Sequence, residues 1–198
     1  MSKLIVQEFV TIDGFAAAAD GAMDFLPGGG RAPVDPQIER DQLRFIREEV
    51  DTMLLGRATY QLFNGYWPTA STDEDLIADD LNGLAKVVVS RTLGDAPWGE
   101  RGDRASVVRD GAEAAASLRR RSGKGAVVWG SVTLARSLAA AGLIDECQLY
   151  VCPSVLGAGQ PLFAAAPTLQ ALRLLEARTY ESGVVLLRYA PQGTARSQ

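Results

Sequence analysis

Three short segments of this sequence, residues 56–60, 90–92 and 129–131, each follow a run of apolar and β-branched residues that predicts a β-strand. They read Gly-Arg-Ala-Thr-Tyr, Ser-Arg-Thr and Trp-Gly-Ser. In an open α/β sheet, ligands bind beyond the carboxyl ends of the strands, where glycine admits close backbone approach and helix N-termini present unpaired N–H groups. Strand ends that carry small, hydroxyl and guanidinium groups therefore predict a site for a phosphate-bearing cofactor.

The order of the predicted elements favours an α/β fold with a central mixed, mostly parallel sheet. Strand patterns cover residues 4–12, 52–55, 86–90, 105–108, 126–129 and 146–152, and helical patterns cover residues 36–50, 59–64, 74–84, 112–121 and 131–141. The last two strands, 173–180 and 184–190, are joined by a tight turn, which predicts an antiparallel C-terminal hairpin. We expect one domain over residues 1–190 and a disordered polar tail over 191–198.

Composition argues against several classes of partner. The net charge is -4, and the only run of basic residues is at 119–121, so a nucleic-acid or anionic-membrane surface is not expected. No apolar stretch approaches the roughly 20 residues that span a bilayer. The first three residues lead directly into a strand and not into a signal peptide, so we expect a cytoplasmic protein.

The chain contains no histidine, which excludes Ser-His-Asp and Cys-His catalysis. Its two cysteines, Cys147 and Cys152, are an odd number of positions apart on one predicted strand, so they face opposite sides of the sheet. They are therefore expected to be buried thiols without a disulfide, and no metal site is predicted. The chemistry has to rely on carboxylates, hydroxyls, arginines or a bound cofactor.

Six motifs in one order resemble the dihydrofolate-reductase-like family, and most closely the C-terminal reductase domain of the bifunctional riboflavin-biosynthesis deaminase/reductase. They are Thr-Ile-Asp-Gly at 11–14, Leu-Gly-Arg-Ala-Thr-Tyr at 55–60, Tyr-Trp-Pro at 66–68, Val-Ser-Arg-Thr-Leu at 89–93, Trp-Gly-Ser at 129–131, and the stretch 153–163. The resemblance runs from about residue 3 to residue 190. It implies a three-layer fold with helices on both faces of the sheet, NADPH as hydride donor, and a homodimer.

The candidate cofactor residues begin with the first two strand ends. Gly56 allows close backbone approach, Arg57 can pair with a phosphate, and Thr59 can cap the next helix and donate a hydrogen bond to phosphate. The alternative is a plain turn and cap with a solvated arginine. Ser90 and Arg91 resemble the family's pair that binds the 2′-phosphate of the adenosine ribose, although a polar turn would also explain them.

The third strand end adds a helix N-terminus. Gly130 and Ser131 lie where the family usually has two glycines, before a helix that faces the pyrophosphate. The N–H groups of Ser131 and of the next three residues, Val132, Thr133 and Leu134, would then be the donors. A simple N-cap role for Ser131 is the alternative.

The substrate side is predicted around Thr11 and Asp13, because this segment resembles the family's Ser-x-Asp-Gly. Asp13 is the first candidate for the acid that supplies a proton, and an Asx turn is the alternative. Asp35 and Glu39 are the second candidates, since folate-reducing relatives carry their acid in that region.

Three aromatic side chains, Phe25, Tyr60 and Trp67, could form a slot for a planar heterocycle, although aromatic residues at such positions are often core. The resemblance implies an NADPH-dependent reductase of a small heterocyclic substrate, similar to 5-amino-6-(5-phosphoribosylamino)uracil reductase. A dihydrofolate or pterin reductase and a non-catalytic nucleotide-binding regulatory protein are the alternatives. The histidine-free sequence lacks the zinc-deaminase signature.

Overall fold

The computed structural model describes residues 1–30, 35–73, 75–99, 103–163 and 170–192. Its strands are β1 (Leu4–Thr11), β2 (Phe15–Ala17), β3 (Val50–Gly56), β4 (Ala85–Val89), β5 (Pro97–Trp98), β6 (Asp103–Arg104), β7 (Ser106–Val108), β8 (Gly125–Trp129), β9 (Glu146–Cys152), β10 (Gln160–Pro161), β11 (Leu172–Thr179) and β12 (Val185–Pro191). Its α-helices are α1 (Pro36–Glu48), α2 (Arg57–Tyr66), α3 (Ala78–Gly83), α4 (Gly111–Arg120) and α5 (Val132–Ala140).

Eight of these strands form one sheet in the order β11-β12-β9-β1-β8-β3-β4-β7. The pairs from β9 to β7 are parallel, whereas β12 is antiparallel to both β9 and β11. This arrangement confirms the predicted α/β fold with its mostly parallel sheet and C-terminal hairpin. The small sheets β2-β10 and β5-β6 were not predicted, because strands of two or three residues are too short to show a period-2 pattern.

Helices cover both faces of the sheet, as the resemblance implied. On β1, Leu4, Val6 and Val10 face a core that includes apolar residues of α4 and α5. Ile5 points to the opposite face, where apolar residues of α1, α2 and α3 pack. The period of two along β1 therefore divides the core into two layers, each closed by its own helices.

The ends of several elements follow the local chemistry of the sequence. Asp35 caps α1 by accepting a hydrogen bond from the Gln37 amide at 2.8 Å, with Pro36 in the first turn. In the turn between β11 and β12, Gly183 has φ 82° and its N–H bonds the carbonyl of Tyr180 at 3.0 Å. The left-handed backbone at Gly183 is the reason that this hairpin turn needs glycine.

Some element boundaries differ from the prediction. The helix predicted over 74–84 is reduced to α3, and residue 74 lies outside the described residues. The glycine run at 28–30 lies in a 3-10 helix, Pro27–Gly30, which was not predicted, and residues 31–34 are outside the described part. β12 extends to Pro191, which pairs with Leu172; residues 193–198 of the predicted tail are outside the described residues.

Two arginines of the basic run at 119–121, at the end of α4, form ion pairs. The Arg119 guanidinium donates to both carboxylate oxygens of Asp145 at 2.8 and 2.6 Å, and Arg121 donates to Asp51 at 2.6 Å. Sequence spacing gave no signal for these pairs, because the carboxylates come from distant positions in the chain.

Both cysteines are free and buried, on opposite faces, as predicted. Cys147 belongs to the core beneath α4 and α5, and Cys152 belongs to the core beneath α1. Among the described residues, no group of three or more histidine, cysteine or carboxylate side chains could bind a metal. In the same part of the chain no helix has the length and apolarity needed to cross a membrane.

A chain of buried hydrogen bonds crosses the centre of the sheet. Trp129 donates to Gln7 at 2.8 Å, Gln7 donates to Gln148 at 2.7 Å, and Gln148 donates to Glu146 at 3.0 Å. Glu146 also accepts from Arg188 at 2.7 Å. These hydrogen bonds connect β8 to β1 and β9 at Trp129, the residue directly before the Gly130 turn.

We expect Gly125→Ala to lower the free energy of unfolding by about 1–3 kcal/mol, because the added methyl group overpacks the sheet. A Cβ at Gly125 would lie 2.8 Å from the carbonyl oxygen of Lys3 and 3.2 Å from that of Glu49. Urea unfolding followed by circular dichroism measures the change. The matched control is Gly65→Ala within α2, where nothing lies within 4 Å of the new Cβ, and this change should be neutral or stabilising. Equal effects of the two substitutions would contradict the close approach at Gly125.

Candidate functional site

A cavity of about 590 Å³ lies at the carboxyl ends of β3, β4, β7 and β8. This volume is within the range of small-molecule sites, about 300–1,000 Å³. All ten residues predicted for the cofactor line it: Gly56, Arg57, Thr59, Ser90, Arg91, Gly130, Ser131, Val132, Thr133 and Leu134. The structure thus brings the three strand ends together at one site, while their role in binding stays a prediction.

Three guanidinium groups line this cavity. Arg57 donates a long hydrogen bond of 3.4 Å to the Thr92 hydroxyl, and Arg91 forms no hydrogen bond or ion pair with the described residues. Arg109 follows β7 and donates to the carbonyl oxygens of Ser90 and Leu93 at 2.7 and 2.8 Å. None of the described lining residues is acidic. The cavity therefore has the charge that suits a phosphorylated ligand.

Arg109 is a lining residue that the sequence analysis missed, together with Ala58, Val89, Ser137 and Gln160. The signal for Arg109 was present, since it follows a short predicted strand as Arg91 does. Its neighbours Val108 and Asp110 resemble no motif of the family, so the position did not stand out. Gln160 comes from β10, a strand too short to predict, and its place at the cavity depends on the tertiary fold.

The Ser90 hydroxyl stabilises the turn after β4. Its oxygen accepts the N–H groups of Thr92 and Leu93 at 3.3 and 3.0 Å, and the side chain is buried. Because both contacts use the oxygen as acceptor, the hydroxyl proton is what Ser90 can offer to a ligand. The polar-turn interpretation of Ser90 and the phosphate-binding interpretation are therefore compatible.

Ser131 and Thr59 connect the start of α5 to the end of β3. The Ser131 hydroxyl accepts the Gly56 amide at 2.9 Å and lies 3.0 Å from the Thr59 hydroxyl, which donates to the Gly130 carbonyl at 2.9 Å. Ser131 is the N-cap residue of α5 but makes no side-chain cap, because its hydroxyl is used in this link. The link gives a physical reason for serine where relatives usually have a second glycine.

One of the two expectations for Thr59 is therefore wrong. The N-cap of α2 is Gly56, without a side-chain cap, so Thr59 does not cap that helix. Its hydroxyl donates to the carbonyl of Gly130, and donation by Thr59 to a phosphate stays a prediction. Thr59 instead fixes the turn: a Cβ on Gly130, which has φ 58°, would lie 3.0 Å from the Thr59 methyl group.

A second cavity, of about 480 Å³, lies at the opposite end of the strands, near the starts of β3 and β4. Its lining includes the carboxylates of Asp51, Asp79 and Asp80 beside Arg47 and Lys124. Arg47 is already paired with Asp80 through two hydrogen bonds of 2.9 Å. Its second cation, Lys124, donates to the carbonyl of Arg47. Because both cations are engaged and three carboxylates line it, this cavity is poorly suited to phosphate.

On the predicted substrate side, Thr11 and Asp13 shape the backbone. The Thr11 hydroxyl accepts the Phe15 amide at 3.0 Å, and Thr11 is buried. The Asp13 carboxylate accepts the amides of Leu156 and Gly157 at 3.2 and 2.7 Å. Hydrogen bonding by Thr11 and by these amides lowers the pKa of Asp13, so Asp13 is ionised at neutral pH. These surroundings favour a loop-fixing role for Asp13, and its role as proton donor stays a prediction.

The two other candidate acids differ from each other. Asp35 caps α1 and also accepts the Ser182 amide at 3.2 Å; although burial opposes it, the pKa of Asp35 is lowered by these hydrogen bonds. Glu39 is half-buried on α1, and its pKa is raised by burial and by the nearby charge of Asp75. The pKa of Glu39 is thus shifted in the direction that a proton donor needs, whereas the pKa values of Asp13 and Asp35 are shifted the other way.

The three aromatic candidates do not line the cavity described above. Tyr60 is buried, packs against Trp98 at 6.4 Å between ring centroids, and donates its hydroxyl to the Pro97 carbonyl. Its placement supports the alternative that Tyr60 is a core residue, and substrate contact by Tyr60 stays a prediction. Phe25 is half-buried against the core beneath α1, and Trp67 is half-buried beside Phe63. Substrate contact by Phe25 and Trp67 stays a prediction.

Comparison with known proteins identifies the family. The sequence model of the RibD C-terminal domain matches residues 2–186. The chain belongs to the RibD C-terminal domain family. A curated relative, the uncharacterized protein YyaP of Bacillus subtilis (strain 168), is 29% identical over 191 residues, which cover 94% of each chain.

Solved structures show that the fold is that of RibD C-terminal domains. A protein of Shewanella sp. PV-4 provisionally assigned to riboflavin biosynthesis superimposes with a TM-score of 0.72 at 20% identity, over 96% of this chain and 99% of that one. A pyrimidine reductase-like protein of Corynebacterium diphtheriae gives a TM-score of 0.61 at 14% identity, over 98% and 93%. RibD of Acinetobacter baumannii gives 0.66 at 16% identity, over 97% of this chain and 58% of the longer RibD chain.

The residues of this RibD C-terminal domain fit the dinucleotide that the family resemblance implies. Three guanidinium groups and the N-terminus of α5 line one cavity, and no described lining residue is acidic. Guanidinium groups and helix N-termini are the usual protein partners of phosphate and pyrophosphate. The donor set is thus suited to a ligand that carries several phosphate groups along its length.

Proposed function

We propose that this RibD C-terminal domain is an NADPH-dependent reductase of a small heterocyclic substrate, of the kind that reduces 5-amino-6-(5-phosphoribosylamino)uracil. The observation that supports the proposal most strongly is the cavity at the strand ends, where Arg57, Arg91 and Arg109 lie beside the N-terminus of α5. The family match and the fold of the solved relatives support the reaction class.

Each part of the cavity has a proposed task. Arg91, with the Ser90 hydroxyl proton, binds the 2′-phosphate, because Arg91 has no partner among the described residues. The amides of Val132, Thr133 and Leu134 in the first turn of α5 bind the pyrophosphate. NADPH, when bound, supplies a hydride to an electron-poor carbon of the substrate.

The reduced substrate also needs a proton on its heteroatom, and the chain has no histidine to supply it. Asp13 was the first candidate from the sequence, but its lowered pKa opposes proton donation. Glu39 has a raised pKa, which favours it as the acid. We propose that Asp13 and Glu39 are the two candidate proton donors and that Asp13 also fixes the loop at 156–157 on the substrate side.

The test is NADPH oxidation at 340 nm with a panel of aminouracil ribitol and ribosyl phosphates, pterins and flavins. We expect turnover with at least one aminouracil and a higher melting temperature of the protein in the presence of NADPH. Turnover of dihydrofolate with inhibition by methotrexate would favour the dihydrofolate-reductase alternative. Stabilisation by NADPH without turnover of any substrate would favour the nucleotide-binding regulatory protein. The proposal would be contradicted if NADPH did not stabilise the protein and no substrate were turned over.

The homodimer that the resemblance implies is also a proposal. β11 is an edge strand whose residues Leu172, Leu174 and Leu175 are between 39% and 51% exposed. Burial of such residues in a contact between two copies would remove apolar surface from water. We likewise propose, from composition and family, that a small-molecule substrate is the only other partner. The same grounds support a cytoplasmic location.

A further inference from the structure

Glu8 is a buried carboxyl group that the proposed function does not use. It lies on β1 between Val6 and Val10, whose side chains belong to the core beneath α4 and α5. Side chains two positions apart on a strand share a face, so Glu8 points into this apolar layer. Only 4% of Glu8 is exposed, and its Oε1 has no hydrogen-bond partner among the described residues. A buried carboxyl group without full pairing needs a physical explanation.

The contacts of Glu8 connect it to the cofactor cavity. Gln7 of β1 pairs with Trp129 of β8, so the next residue, Glu8, lies beside the turn at Gly130. The backbone N–H groups of Gly130 and Ser131 lower the pKa of Glu8, and both residues line the cavity. These amides are at the turn that leads into α5, where a bound phosphate would also be stabilised. Glu8 thus lies on the protein side of the residues that form the proposed pyrophosphate site.

Burial decides the protonation state of Glu8. Desolvation raises its pKa to about 8, and the nearby backbone N–H groups of Gly130 and Ser131 offset this increase only in part. At neutral pH the carboxyl group is therefore mostly protonated and carries no charge.

The elements packed around Glu8 contribute little charge. On β9, Cys147 shares this face and its thiol has a pKa of about 11, because burial opposes its ionisation. The charged residue of α5, Arg136, donates to the carbonyl of Pro161. On α4, Arg119 is paired with Asp145, and the side chains of Glu113 and Arg120 are exposed. None of these groups contributes to the pKa of Glu8, so burial and the Gly130 turn control it.

We propose that Glu8 is a proton-linked switch of the cofactor site: the phosphate-bearing dinucleotide binds the form of the protein in which Glu8 is protonated, and ionised Glu8 opposes binding. The proposal rests on the proposed function, because it requires NADPH at the N-terminus of α5. An ionised carboxylate would engage the Gly130 and Ser131 amides more strongly and would place a negative charge beside the pyrophosphate. Binding above the pKa then takes up one proton from solution, which passes to the Glu8 carboxylate.

The experiment is calorimetric titration of the full chain with NADPH between pH 7 and 9.5, in two buffers of different ionisation enthalpy at each pH. For the wild-type protein we expect the Kd to rise by up to about 30-fold across this range, with proton uptake approaching one per NADPH at the upper end. Glu8→Gln keeps the acceptor for the Gly130 and Ser131 amides but cannot ionise. Its Kd should stay within about threefold across the range, without proton uptake.

The matched control is Cys147→Ala, which removes the titratable group that β9 contributes to the same face of the sheet and should leave the wild-type pH dependence unchanged. A wild-type Kd that is constant with pH and shows no proton uptake would overturn the switch and leave the proposed function intact. The switch would also be overturned if the Kd of Glu8→Gln rose with pH as steeply as that of the wild type. Failure of NADPH to bind at every pH would overturn the proposed function and the switch together.

Discussion

Glu8→Gln should increase the free energy of unfolding at pH 8 by several kcal/mol, and this gain should shrink as the pH falls. The folded pKa of Glu8 is about 8, against an ordinary value of 4.5 for the unfolded chain. Between these values the folded state retains a proton that the unfolded state releases, so wild-type stability falls by about 1.4 kcal/mol for each pH unit. The stability is fully present below pH 4.5, and the total loss by pH 8 is about 5 kcal/mol. Glutamine does not titrate, so the variant does not undergo this loss.

Urea unfolding of both proteins at pH 5.5, 7 and 8.5 measures the difference. Other titrating groups are common to the two chains, so they cancel when the variant is compared with the wild type at each pH. We expect the free energies of unfolding of the two proteins to diverge as the pH rises towards 8 and to differ by a constant amount above it. A difference that is constant from pH 5.5 to 8.5 would mean that Glu8 is already ionised in the folded protein.

Arg91→Ala should raise the Kd for NADPH by about 10- to 100-fold and change the Kd for NADH by less than about threefold. A hydrogen bond to a charged group contributes about 1.5–3 kcal/mol, and 1.4 kcal/mol corresponds to a factor of ten. The two nucleotides differ only in the 2′-phosphate, so the ratio of their dissociation constants isolates this contact. Arg91 lines the cavity and has no partner among the described residues, so its removal leaves none of their charges unpaired.

The control for this measurement is Arg120→Ala, which makes the same change of net charge at an exposed position on α4, away from the cavity lining. It should leave both dissociation constants within about twofold of the wild type, since exposed charges at a distance are screened by salt. An equal loss of NADPH and NADH affinity in Arg91→Ala would show that this arginine does not recognise the 2′-phosphate.

Much of the fold could be predicted because its elements are long and regular. The strands around Val6, Leu54 and Val127 are apolar or alternate clearly, and α1 begins with an aspartate cap before a proline. The positions of the cofactor candidates were also predictable, since carboxyl ends of parallel strands meet at one edge of a sheet. The shared cavity of Gly56, Ser90 and Gly130 follows from that rule.

The hydrogen-bond roles within the site could not be predicted from the sequence. Thr59 and Ser131 are 72 positions apart, and their contact depends on how α2 and α5 approach each other. Asp13 was the first candidate for the acid because of its motif, but its partners Leu156 and Gly157 are more than 140 positions away. Glu8 belongs to none of the motifs found in the sequence. Its burial follows from the packing of α5 on the sheet, which local sequence does not reveal.

The most direct test of the central claim is a crystal structure of the protein with NADPH. We predict the 2′-phosphate between Ser90 and Arg91, and the pyrophosphate against the first turn of α5, next to the Gly130 turn. NADPH bound elsewhere, for example in the second cavity beside Asp79 and Asp80, would contradict the assignment of the strand-end cavity as the cofactor site.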